Sequence, residues 1–138
     1  MNKGNEQPVI YFQAYKIEKF SYLKKDNSKS TDSDEKAEEP FRISVSPGYD
    51  ETNSRAVIEV QVIFNNDDIS VEIEVNGYFD LLDGKTENFE KYLVINGTAI
   101  LFPYIRSMVS MLTSLDNEHA ILLPTINTMK LWENRDNE

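Results

Sequence analysis

The sequence predicts an α+β domain in which a four-stranded antiparallel sheet is followed by a long kinked helix and a short C-terminal helix. Period-two alternation of apolar and polar residues marks the first half of the chain, and helical spacing takes over after Thr86. Strands that all precede the helices segregate into separate layers, whereas alternating strands and helices would build a parallel sheet. A length of 138 residues suits one modest core, so residues 1–138 are expected to form a single domain.

Residues 1–8 read as a frayed terminus. Val9–Leu23, "VIYFQAYKIEKFSYL", is rich in β-branched and aromatic residues and predicts a first, irregular strand. Lys24–Glu39 has no aromatic or large aliphatic residue and cannot bury enough surface to offset the entropy of ordering, so a mobile loop is expected at about 24–40. "FRISVSP" alternates strictly, with Phe41, Ile43 and Val45 on one face, and strand two is expected to stop at Pro47-Gly48. Ala56–Phe64 is apolar on both faces, as a central strand would be. After the turn formers Asn65–Asp68, Ile69, Val71, Ile73 and Val75 point inward and Ser70, Glu72 and Glu74 outward. Strands three and four then form a hairpin, and the outer sheet face is wet and acidic.

"TENFEKYL" carries Phe89, Tyr92 and Leu93 at helical spacing behind a Thr86 cap, which predicts a short helix. A longer helix follows, entered near Asn96-Gly97-Thr98. Leu101, Tyr104, Ile105, Met108, Leu112 and Leu115 share its apolar stripe, Phe102 and Val109 widen it, and Met111 falls elsewhere. Pro103 removes a backbone donor and clashes with the preceding turn, so it should kink the helix or mark its start. "AILLPTI" (Ala120–Ile126) reads as extended before Pro124. "NTMKLWENRDNE" adds a last short helix fraying into a charged tail at about 133–138.

Composition narrows the function. A net charge of -10, from 24 acidic and 14 basic residues, argues against nucleic-acid binding and against an anionic membrane. A basic or apolar partner fits better. No basic flank with an apolar run marks a signal peptide, and no run of about 18 apolar residues predicts membrane insertion. The absence of cysteine removes disulfides and thiolate chemistry and is compatible with a cytoplasmic location.

Motifs for chemistry are weak. "GKT" (Gly84–Thr86) lacks the earlier glycine of a phosphate-binding loop, since Phe79 stands there. "NNDD" and "DLLDG" lack calcium-loop spacing and read as turns. His119, the only histidine, reads as a cation at a helix end. Without cysteine or a serine in a nucleophile-elbow setting, no nucleophilic triad can be assembled, and an enzyme is not expected. What remains is apolar surface: the long helix, "AILLPTI" and Trp132 exceed what a four-stranded sheet hides in a monomer. The excess implies an oligomer interface or a site for apolar chains, unless the C-terminal segments fold back to complete a monomeric core.

The run Ile100-Leu101-Phe102-Pro103-Tyr104 with Arg106 two residues on, Gly77 and Phe79 closing strand four, and "LLPTIN" (Leu122–Asn127) together resemble the SecB family of protein-export chaperones. The likeness runs from about Val9 to Trp132. It implies a cytoplasmic, ATP-independent holdase for unfolded or preprotein polypeptides, with no cofactor and no metal, assembled as a homo-oligomer, a dimer or a dimer of dimers. Carried over by position, Leu101, Tyr104, Ile105, Met108 and Leu112 border a client groove, joined by Ile121, Leu122, Leu123, Ile126 and Trp132. Phe102, Val109 and Met111 fall to the oligomer interface. Glu72 and Glu74 lie on the face that meets the export motor ATPase in the family. The sequence departs by ending six residues after Trp132, where the family commonly continues into a full second helix, so the C-terminal region reads as divergent and shortened. Two alternatives stand beside a general holdase: a dedicated chaperone of one client such as an antitoxin, and an oligomeric interaction module without chaperone activity.

Overall fold

A computed structural model describes residues 9–25, 39–82, 88–116 and 120–136. The Thr86 cap, the "GKT" turn and His119 lie outside them, as does most of the expected loop. Four strands, β1 (Ile10–Lys24), β2 (Phe41–Asp50), β3 (Arg55–Asn65) and β4 (Ile69–Leu81), form one antiparallel sheet in the order β1-β4-β3-β2. β3 and β4 are the hairpin that the alternation predicts, and they occupy the centre. Their inward residues Ile58, Val60, Val62, Val71, Ile73 and Val75 are fully buried.

The edge strands depart from simple alternation. β1 carries two bulges, between Phe12 and Ala14 and between Ile17 and Lys19, so Phe12, Tyr15, Ile17, Phe20 and Tyr22 pair with Phe79, Gly77, Val75, Ile73 and Val71. All five therefore stand on the face that the helices cover, at spacings of three and two rather than a uniform two. β2 does not stop at Pro47-Gly48 but continues to Asp50, with Pro47 opposite Ile58. Among the described residues its outer side has no strand neighbour, so the donor that proline lacks breaks no ladder bond. Lys24 also belongs to β1 rather than to a loop, since it pairs with Ile69.

The helical layer is α1 (Phe89–Tyr92), a π-helical turn (Leu93–Gly97) and α2 (Thr98–Thr113), with no break at Asn96-Gly97. The expected short and long helices are thus one helix of 25 residues, Phe89–Thr113. Its buried residues Leu93, Gly97, Leu101, Ile105, Val109 and Thr113 recur every fourth position. A regular α-helix turns about 100° per residue, so that row would drift about 40° at each step and wind off the sheet. The π turn, with its i→i+5 bonding, winds less per residue and takes up part of the drift.

Gly77 lets the layers approach: a Cβ there would collide with Cδ1 of Leu101, whereas one on Gly97 would meet the Phe79 ring at an ordinary 3.5 Å. Pro103 lies inside α2 rather than at its start. The amide it lacks would have served Ala99, and both residues are exposed, so that end of the ladder faces water. By length and composition this helix could cross a membrane, but its apolar stripe lies on the sheet.

Ala120–Asn127 is extended, as "AILLPTI" predicts, and α3 (Thr128–Asp136) follows. α3 runs past Glu133, where the sequence suggests a tail. Leu131 and Trp132 pack on the core, and Arg135 reaches back to donate from Nη1 to the Val45 carbonyl at 3.4 Å.

Candidate functional site

The stripe of α2 is turned from the one expected. Leu101, Phe102, Ile105 and Val109 face the sheet and are buried, while Leu115 is 80% exposed and Met111 67%. Leu101, Ile105 and Leu123 therefore offer no surface to a client in this chain. Nor do Phe102 and Val109 offer one to a second subunit: Phe102 meets Phe41 edge-on at 6.4 Å within the core. The buried row advances by fours through Leu101, Ile105 and Val109, whereas the expected stripe ran along the neighbouring side through Tyr104, Met108 and Leu115, the last of which lies beyond the helix end. Met108, Ile121, Ile126 and Trp132 are half-buried and pack against the core. Tyr104, Leu112, Leu122 and Met111 retain accessible area.

These accessible residues divide between two clefts on either side of α2. On the β1 side, Phe20, Tyr22, Lys24, Leu112, Leu115 and Asp116 line a cleft of ≈ 510 Å³. Tyr104 extends the apolar surface, lying 5.9 Å from the Phe12 ring and 5.2 Å from that of Tyr15. The far end is closed by polar contacts: the Tyr22 hydroxyl donates to Asp116 Oδ2 at 3.0 Å, and Lys24 Nζ lies 2.9 Å from the same oxygen. The hydrogen bond from Lys24, then that from Tyr22, holds the Asp116 carboxyl below the usual carboxylate range.

The second cleft, ≈ 580 Å³, runs along the outer face of α2 beneath the extended segment. Pro103, Arg106, Ser107, Ser110, Met111 and Ser114 form its floor, and Leu122 and Leu123 its wall. Leu122 stands 74% exposed while its neighbour Leu123 is sunk into the core. Two side chains of α2 hold this segment. Arg106 Nε donates to the Leu123 carbonyl at 3.1 Å, and the Ile121 amide donates to Thr113 Oγ1 at 3.0 Å. Thr113 Oγ1 in turn donates to the Val109 carbonyl at 2.7 Å.

On the outer sheet face, Gln61 Nε2 donates to Glu72 Oε2 at 2.6 Å and to Glu74 Oε2 at 3.2 Å, and Lys19 Nζ lies 3.3 Å from Glu72 Oε2. The two glutamates do meet, but as half-buried members of a polar network rather than as a bare anionic pair. Among the described residues no group of histidine, cysteine and carboxylate side chains could hold a metal.

Sequence reasoning missed Tyr15, Ile17, Phe20 and Tyr22 as surface for the helical side. The aromatic spacing 12, 15, 20, 22 was the available signal, but alternation hides it because each bulge shifts the phase by one. It also missed Thr113, a single hydroxyl near the end of an apolar helix, which no pattern marks.

The comparisons with known proteins agree with this fold. In structure the chain is similar to the Mycobacterium tuberculosis Rv1957 SecB-like chaperone, solved in complex with a ChAD peptide from the Rv1956 HigA1 antitoxin. The TM-score is 0.61 at 19% identity, covering 86% of this chain and 88% of that one. It is also similar to a protein of unknown function from Streptococcus agalactiae, with TM-score 0.56 at 11% identity, covering 84% and 97%. At such identities the likeness shows the fold. In sequence, 71 residues, 51% of the chain, are 31% identical to the uncharacterized protein MJ0357 of Methanocaldococcus jannaschii, and the match covers 46% of that protein. The chain thus matches about half the length of this curated relative. Residues 5–138 match the family described as preprotein translocase subunit SecB, and the chain belongs to the SecB family.

Proposed function

We propose that this protein is an ATP-independent holdase that binds extended segments of non-native polypeptide in the outer cleft along α2. Family membership sets the class, a non-enzymatic chaperone. The observation that carries the reading further is the open, partly apolar outer cleft, in which Met111 and Leu122 are mostly exposed. Unfolded clients expose apolar side chains, and burying them in an open cleft needs neither cofactor nor nucleotide. The flexible thioether of Met111 suits varied client side chains. Ser107, Ser110 and Ser114 on the floor of the outer cleft tolerate the polar residues between apolar ones.

The β1 side suits self-association, and we place the homo-oligomer contact there: Tyr15, Ile17, Tyr104 and Leu115 replace Phe102 and Val109 in that role. β1 is an edge strand whose helix-side row is only partly covered, a surface that a monomer in water rarely keeps. The outer cleft is then left for clients.

A narrower reading is favoured by one observation, the fold likeness to a SecB-like chaperone bound to an antitoxin peptide. In that version one small client replaces general export traffic, with the cytoplasm as the site of action in either case. Contact between the Glu72–Glu74 face and an export motor belongs to the general version. Pull-down with the tagged protein separates them: one dominant small protein supports the dedicated role, and a spread of unfolded chains with the motor supports export. The shared claim is tested by client aggregation without nucleotide, and no protection at stoichiometric excess defeats it.

A further inference from the structure

The extended segment Ala120–Asn127 belongs to no sheet or helix, yet it forms one wall of the outer cleft. Such a strap holds its shape only through what pins it. Leu123 is the plug, buried in the core, and the two hydrogen bonds from α2 flank it in sequence at Ile121 and Leu123. Between them Leu122 is turned outward over the cleft. The Thr113 hydroxyl is fully buried; it gives its proton to the Val109 carbonyl, with the Ser110 carbonyl at 3.4 Å, and accepts the Ile121 amide. Were it replaced by valine, the shape would stay and the Ile121 amide would lose its partner on α2.

We infer that Thr113 and Arg106 are positioning residues for client binding, clipping the strap so that Leu122 is held in place opposite Met111 before a client arrives. The inference rests on the holdase reading of the outer cleft and adds how affinity is set there. A wall already ordered in the free protein adds no ordering entropy to the binding event, so affinity falls when the Thr113 clip is removed even though that residue lines no part of the cleft. Thr113 acts from beneath and does not line the cleft, whereas Arg106 holds the strap while also forming part of the floor.

The test compares wild type with Thr113→Val, Thr113→Ser and Arg106→Met. It measures hydrogen exchange at the Ile121 amide and the affinity for a fluorescein-labelled polypeptide kept unfolded by reduction and alkylation. Losing one hydrogen bond should speed Ile121 exchange about fivefold in Thr113→Val and weaken client affinity by a similar factor, chiefly through faster dissociation. Thr113→Ser keeps the hydroxyl and should restore both. Arg106→Met, altered at a half-buried site, should weaken binding while the helix keeps its exchange protection, which covers the case in which Thr113→Val folds poorly. Faster exchange with unchanged affinity in both clip variants overturns the inference and leaves the holdase reading standing. Equal loss in Thr113→Ser and Thr113→Val overturns it too, because the hydroxyl would then be irrelevant. A wild-type protein that binds no unfolded polypeptide defeats the holdase reading, and with it the role of the clips.

Discussion

Gly77 on β4 sits directly beneath Leu101 on α2, so close that a single methyl group on the glycine would collide with the leucine Cδ1. Two residues of the family-like motifs, far apart in sequence, are thereby one packing unit: the strand gives up a side chain so that the helix can bury one. Replacing Gly77 with alanine should cost about 1–3 kcal/mol through overpacking. Leu101→Ala should cost about 2–5 kcal/mol through the cavity it leaves. In the double variant the new methyl partly fills that cavity, so urea unfolding should show a total well below the sum. Additive losses would mean that the two residues do not share the space.

Phe102 belongs to the core and not to a subunit interface. Phe102→Ala should lower stability by about 3–5 kcal/mol in chemical denaturation. Below the unfolding transition the assembly mass should be unchanged at equal protein concentration. A large shift in mass with little loss of stability would return this residue to an interface.

Leu115 makes the opposite case, since it is 80% exposed at the mouth of the β1-side cleft. Leu115→Asp should change unfolding free energy by no more than about 0.5 kcal/mol, as surface changes do. It should lower the mass measured by light scattering if that cleft is where copies meet. An unaltered mass would remove Leu115 from the contact.

Asp116 and Lys24 give a pH signature of defined sign. The folded state lowers the Asp116 pKa from 3.8, first through the Lys24 hydrogen bond and then through that of Tyr22. Its contribution is therefore present above 3.8 and lost as pH falls through the lower folded value. The Asp116 hydrogen bond raises Lys24 from 10.5, so its share is present below 10.5 and lost as pH rises through the raised value. Both groups are exposed, and the effect should shrink with added salt. The stability difference between wild type and Asp116→Asn should be flat across neutral pH and narrow in acid. A difference that persists unchanged at the lowest pH would show that the carboxylate charge is not its source.

The central hairpin was legible because both of its strands keep a strict two-residue period against one buried face, as Ile58, Val60, Ile73 and Val75 do. β1 was legible as a strand but not in its facing, because its two bulges break that period. Within the helix, Leu101 and Ile105 were correctly apolar but assigned to the wrong surface. Periodicity reports that a residue is apolar, whereas it does not say which neighbouring element its side of the helix meets. The strap was recognisable from Pro124 and its run of leucines. Its clips were not, since Thr113 acts through one hydroxyl and Arg106 through a backbone carbonyl seventeen positions away, and neither leaves a pattern in composition.

The most direct test of the account is aggregation of a chemically unfolded client, followed by light scattering without nucleotide, for wild type beside a Met111→Ser/Leu122→Ser variant. Wild type should suppress scattering as it approaches stoichiometric amounts. The variant, altered only at exposed positions of the outer cleft, should keep its fold and lose most of that protection. Scattering that wild type leaves unchanged at excess, or that the variant suppresses equally well, would contradict the claim that this cleft holds unfolded chains.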